Sequence, residues 1–356
     1  MTTHTTTSPT RPAPGGAPAS DAVRHARVLL SRVCSGVANP DLARLVTEYG
    51  PVAAVAEVCD DPRRARIFYG ATLAADPAAD RDRAAADLAA AEKLGARFLV
   101  PEDPGFPERA VTGWSSPDGT LSVQAPVLGL WVRGDAPLDG GRRLVVTGSR
   151  AASPYGTWVA RDWAGQLTES GVRIVTGGAL GIDGEALRGA LSTAATPRRV
   201  GAGDAAGAPV VVLPGGIDRM YPAAHAPLFE AVAEAGGALV TPYLPGAVPT
   251  RATMLGRLRL MAGLGSSGTL VVEAGTRSSA LHAAHDARDH GLPVLAVPGP
   301  VTSATSVGTH RLAREPWARL VAAVDDVHTE IATAETAAGR RAGPEADAAG
   351  QAPARR

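Results

Sequence analysis

The chain has 356 residues, 45% hydrophobic and 20% charged, with a formal net charge of zero and a pI near 7.1. A neutral total excludes a polyelectrolyte binder, so any anion site must be local. The two cysteines, Cys34 and Cys59, fit neither a zinc pattern nor a disulfide framework, and apolar runs such as Val210–Leu213 are far too short to cross a bilayer.

Apart from Met1, His4 and Arg11, residues 1–20 are Thr, Pro, Ala, Gly and Ser without an apolar stretch. They read as a disordered tail and not as a signal peptide, which predicts a cytoplasmic protein that does not enter membranes. Residues 21–95 read as a small helical domain, of the SAM or helix-hairpin-helix type. Apolar residues recur at helical spacing in Val23–Val33, Leu42–Val46 and Val52–Val58, and a further helix over Arg81–Leu94 ends at Gly95. Residues 96–135 form a connector with two predicted strands, Phe98–Pro101 and Val127–Val132, around a Pro-rich turn.

Residues 136–328 carry the main pattern. Six short apolar strands each stop at a small-residue turn: VTGSR (Val146–Arg150), VTGG (Val175–Gly178), LPGG (Leu213–Gly216), VTPYLPG (Val240–Gly246), VEAG (Val272–Gly275) and VPGP (Val297–Pro300). Helices are predicted between them over Pro154–Ser170, Ile182–Leu191, His225–Ala235, Thr253–Leu264 and Ser278–His290. This alternation predicts an α/β fold, a doubly wound parallel sheet whose ligand loops gather at the carboxyl ends of the strands. Thr193–Ala208 is too polar and Gly-rich for either element and reads as a surface insertion. Residues 329–356 read as a low-complexity tail.

The turns hold the candidate site. Gly148, Ser149 and Arg150 precede a helix, where free amides and the helix dipole favour an anion and arginine adds a two-pronged contact to phosphate. The alternative is a tight turn with a solvated arginine. Gly177, Gly181 and Asp183 surround the second turn, where Asp183 either serves the site or caps its helix. Gly215 and Gly216 make the third turn. Arg257 and Arg259 lie on a helix, aimed at the sheet edge or solvated. Gly275 and Ser278 belong to a turn, Glu273–Ser279, whose small hydroxyl residues can cradle phosphate oxygens. No metal, cofactor or catalytic acid/base pair is predicted. Lys93 is the only lysine, so phosphate contacts would fall to arginine.

The strings Gly148–Gly156 (GSRAASPYG), Thr176–Asp183 (TGGALGID), Val211–Pro222 (VVLPGGIDRMYP), Val271–Gly275 (VVEAG) and Ala296–Pro300 (AVPGP) together resemble the DNA-processing protein A family, also called DprA or Smf. The resemblance implies an extended Rossmann-like fold behind a small helical domain. It also implies single-stranded DNA binding, a homodimer, and loading of the RecA recombinase in natural transformation or recombination. Several polar positions of the family pattern are apolar here: Leu180, Leu187, Leu258 and Ala280. The C-terminal tail shows no counterpart of the family's winged-helix domain. Two other readings stand beside a DNA-binding mediator. One is a nucleotide phosphoribohydrolase-like enzyme, suggested by Pro214-Gly215-Gly216; the other is a diverged interaction protein that keeps the fold. Tyr155, Trp158 and Tyr221 are candidate base-stacking rings, although Trp158 and Trp163 read more readily as helix packing.

Overall fold

A computed structural model describes residues 18–33, 40–59, 77–112, 127–194 and 207–342. Most of the expected N-terminal tail, the middle of the Thr193–Ala208 insertion, Cys34 and the chain beyond 342 lie outside these residues.

The sheet is built from near-continuous aliphatic strands. β3 (Arg143–Thr147), β4 (Arg173–Thr176), β5 (Val210–Val212), β6 (Ala238–Thr241), β7 (Thr269–Val271) and β8 (Val294–Ala296) are buried at every residue. A strand covered on both faces needs apolar residues at every position rather than at alternate ones. These strands run parallel, joined by β9 (Ala318–Leu320). Two further strands, β1 (Ala96–Leu99) and β2 (Leu130–Gly134), pair antiparallel with each other, and β2 continues antiparallel onto β6. The result is a nine-stranded sheet ordered β1-β2-β6-β5-β4-β3-β7-β8-β9.

Alternation along β3 divides the core. Leu144 and Val146 face α6 (Pro154–Glu169), α7 (Ile182–Ala194) and α12 (Val324–Ala342). Val145 faces α5 (Glu108–Thr112) and α9 (Arg251–Leu264), beside which lie α10 (Ala280–Asp289) and α11 (Val307–Leu312). Trp163 and Leu167 of α6 enter the first layer, Leu260, Met261 and Leu264 of α9 the second. Burying one such side chain stabilises by about 1.5–3 kcal/mol.

The N-terminal helices α1 (Asp21–Val33), α2 (Pro40–Tyr49), α3 (Pro51–Cys59) and α4 (Pro77–Lys93) share one core with the sheet. Leu29, Leu42 and Ala84 cluster with Trp131 of β2, Leu187 of α7 and Phe229 of α8 (Ala226–Glu234). Arg24 and Arg27 of α1 pair with Asp103 and Glu102, each at 2.6 Å, in the turn after β1. The connector strands are thus the edge of the main sheet, paired by register rather than standing apart. At the other end, α12 continues past residue 328, where the low-complexity tail was expected to have begun. Val327 and Ile331 anchor it on the α6 layer. Helix α7 also extends into the expected insertion, through Ala194.

Candidate functional site

The strand order turns back between β3 and β7. From β3 the chain builds β4, β5 and β6 on one side; α9 then carries it back across, and β7, β8 and β9 follow on the other. A crevice opens at such a reversal because neighbouring loops leave in opposite directions. Here the loops are those after β3 and β7. They are joined through the main chain, Ser149 donating its N–H to the Glu273 carbonyl at 2.7 Å, and the start of α7 is tied to the first of them, Ile182 donating to the Ser149 carbonyl at 3.1 Å. The second contact needs Gly181, whose φ is +77° and whose added Cβ would lie 2.3 Å from the Ser149 oxygen. Glu273, 2% exposed, accepts from the Ser153 N–H at 2.9 Å, from the Ser153 hydroxyl at 2.5 Å and from the Thr305 hydroxyl at 3.0 Å. It therefore pins the start of α6, where Ser153 caps the Gly156 N–H.

The crevice is a cavity of about 790 Å³. Gly148, Ser149 and Arg150 line one wall and Gly275, Thr276, Arg277, Ser278 and Ser279 the other, with Arg251 and Met254 of α9 and His282 of α10 between them. No lining residue is a carboxylic acid. Arg150, Arg251 and Arg277 are exposed, and among the described residues none of the three makes an ion pair. Several other arginines are tied down: Arg32 to Asp87 at 2.7 Å, Arg133 to Glu230 at 2.5 Å, Arg142 to Glu335 at 2.7 Å. Three unpaired guanidinium groups and a row of hydroxyls make a local site for a multiply charged anion inside a neutral protein.

Of the residues picked from the sequence, Gly148, Ser149, Arg150, Gly275 and Ser278 meet at this cavity. Gly177, Asp183 and Arg257 lie buried beneath it instead. Arg257, 6% exposed, donates through Nη1 to the carbonyls of Gly177 at 2.6 Å and Val212 at 2.7 Å, tying together the ends of β4 and β5. Asp183 accepts from the Thr147 hydroxyl at 2.9 Å. Burial raises the Asp183 pKa and lowers that of Arg257, and in each case the other's charge opposes the shift. Gly177 sits between them: an added Cβ would stand 2.9 Å from the Asp183 carboxylate and 3.0 Å from the Arg257 guanidinium. Gly215 and Gly216 are also buried, packed under the Ala247 and Leu244 carbonyls. Arg259 faces away from the crevice toward Asp286 and Asp289 of α10; burial lowers its pKa to about 10 against their pull.

Four of the positions apolar here are placed differently. Leu187, Leu258 and Ala280 are core residues, and only Leu180 is exposed, at 49%. Trp163 packs as expected, at 7% exposure, whereas Trp158 stands out from α6 at 61%. The turn of helix between them decides the difference. Tyr155 and Tyr221 are partly exposed, and the Tyr155 hydroxyl donates to the Pro298 carbonyl at 2.8 Å. Sequence reading passed over Arg251 and His282. Arg277 was visible beside Ser278, while Arg251 comes to the crevice only because α9 crosses the sheet.

Fold and site together define an open α/β protein with an arginine-lined crevice at its strand-order reversal. Comparison with known proteins gives the family. Residues 97–332, about two thirds of the chain, match the model described as DNA recombination-mediator protein A, and the chain belongs to that family. It is 41% identical over 302 residues to a putative DNA processing protein DprA of Mycobacterium tuberculosis, covering 82% of this chain and 72% of the relative. It is 36% identical over 186 residues to the protein Smf of Escherichia coli, covering 52% of this chain and 46% of that one. Among solved structures it resembles DNA processing protein A from Streptococcus pneumoniae, with a TM-score of 0.62 at 24% identity, over 85% of this chain and 97% of that one. The Helicobacter pylori DNA processing protein A, studied for its single-stranded DNA binding mode, superposes with a TM-score of 0.54 at 21% identity, over 67% and 96% of the two chains. These two likenesses concern the fold.

Proposed function

We propose that the protein is a single-stranded DNA-binding recombination mediator that acts as a homodimer, protects incoming DNA and loads RecA, without catalytic turnover. The observation that carries the DNA part is the crevice itself: three exposed, unpaired arginines and a run of hydroxyls at the sheet reversal, with no carboxylate in its lining. Such a lining attracts phosphates and offers no carboxylate pair for acid/base hydrolysis. The DNA-processing names of the relatives and the single-stranded DNA binding of the Helicobacter pylori protein support the choice of polymer.

A mobility-shift titration with single- and double-stranded oligonucleotides tests it. Neutralising three phosphates on a single strand predicts that affinity falls roughly 10- to 50-fold between about 50 mM and about 300 mM salt. Arg150→Ala should weaken binding several-fold and reduce the salt slope by about 0.7. Equal affinity at both salt concentrations would sink the reading. The RecA part fails separately if strands coated with the protein assemble RecA filaments no faster than bare strands. Release of free base from nucleoside monophosphates at a catalytic rate would favour the enzyme reading instead.

A further inference from the structure

Helix α6 presents one stripe to the outside. Pro154, Trp158, Asp162, Gly165 and Glu169 recur every three or four residues along it, and with Ser192 and Thr193 of α7 they line a groove of about 560 Å³. The stripe runs for roughly 20 Å. The groove stays open because α6 meets α7 through glycine: a Cβ on Gly165 would stand 3.3 Å from the Thr193 hydroxyl. Trp158 lies 61% exposed in the lining. Arg161, also in the lining, is paired with Glu185 at 2.6 Å. Asp162 accepts from the neutral Gln166 amide at 2.7 Å, and neither Asp162 nor Glu169 makes an ion pair among the described residues. The groove therefore offers an indole face and two carboxylates without a counter-charge.

Those carboxylates repel a phosphate chain, so the occupant they fit is cationic with a small apolar body. Residues 350–356 of this chain, GQAPARR, have that chemistry: two arginines, no acid, and Pro353 between two alanines. They are also within reach. Val327 and Ile331 set α12 on the α6 layer, and Glu335 pairs with Arg142 just before β3, at the end of the sheet where α6 finishes. Helix α12 ends at Ala342, about 10 Å beyond Glu335. The fourteen residues that follow span up to about 46 Å when extended, twice the length of the groove. We propose that residues 350–356 lie along this groove, with Pro353 against the Trp158 ring and Arg355 and Arg356 on Asp162 and Glu169. A tethered segment meets its site at a millimolar effective concentration, so contacts this few suffice. Proline, with its φ already fixed, lowers the cost of ordering it. The proposal is independent of the nucleic-acid reading above.

The test reads acrylamide quenching of Trp158, taken as the difference between each form and its Trp158→Phe counterpart. Relative to the full chain, a chain shortened to end at Ala349 should show a quenching constant about 1.5- to 3-fold higher at about 50 mM salt, and a smaller rise at about 1 M. Arg355→Glu with Arg356→Glu should match the shortened chain. Adding Asp162→Arg and Glu169→Arg to that pair should bring the constant back toward the full chain's. Equal quenching in the full and shortened chains overturns the docking, and a charge swap that restores nothing overturns the pairing. If the protection fades on dilution from about 50 µM to about 0.5 µM, the groove holds the segment of another copy and the proposal falls. The altered side chains of α6 face outward, and circular dichroism checks that each variant keeps the fold.

Discussion

Arg257 and Arg259 are two residues apart on one helix and do unrelated work. Neighbours two apart on an α-helix point about 200° from one another. Arg257 therefore reaches the sheet and clamps two strand ends, whereas Arg259 meets Asp286 on α10. In sequence the pair reads as one basic motif, and only the helix phase against the sheet separates the roles. Removing Arg257 would leave Asp183 buried without its counter-charge and two strand-end carbonyls without a donor. Arg257→Ala should destabilise the fold by about 3–5 kcal/mol, read as a lower urea midpoint. Exposed Arg150→Ala should stay within about 0.5 kcal/mol. If the two variants unfolded at the same urea concentration, the division between floor and lining would be wrong.

At the scale of elements, α6 shows why a helix may carry both packing and display. Trp158 and Trp163 are five positions apart, about 140° around the axis. Trp163 lies against Leu144 and Leu167, and Trp158 looks outward. Trp163→Ala should cost about 3–5 kcal/mol and Trp158→Ala under about 0.5 kcal/mol in denaturant unfolding. Helix α10 supplies a pH effect. Burial pushes the Asp286 carboxyl up to about 6 despite the attraction of Arg259. The folded state thus holds a proton that the unfolded chain, with its ordinary carboxyl near 3.8, releases. Stability from this group is present below 3.8 and lost as pH rises through 6. The stability advantage of Asp286→Asn over wild type, read in denaturant unfolding, should therefore grow by about 2 kcal/mol from pH 4.5 to pH 7.5. An advantage that shrinks over that range would contradict the assignment.

For the whole molecule, the parallel βα alternation was legible because strands covered on both faces leave uninterrupted Val and Leu runs that end in glycine turns. The helix spans read from the sequence match α6 through α10 to within a few residues. The attachment of the N-terminal half was not legible: β2 pairs with β6, more than a hundred residues along the chain, and local periodicity carries no trace of a partner so distant. β9 and α11 were likewise missed: two of the three β9 positions are exposed, so it lacks the uninterrupted buried run of the other parallel strands, and α11, at six residues, is too short to show a period. The crevice was half legible. Its two loops announced themselves as turns, but the arrival of Arg251 and His282 depends on how α9 and α10 cross the sheet.

The main-chain link between Ser149 and Glu273 bears on how fast a ligand is captured. Two loops fastened to each other resist swinging apart to admit a strand or closing over it afterwards. Capture should then be a single encounter, with observed rates in stopped-flow fluorescence rising in proportion to oligonucleotide concentration and showing no plateau. A rate that saturates would mean that the protein itself has to rearrange before or after the strand arrives.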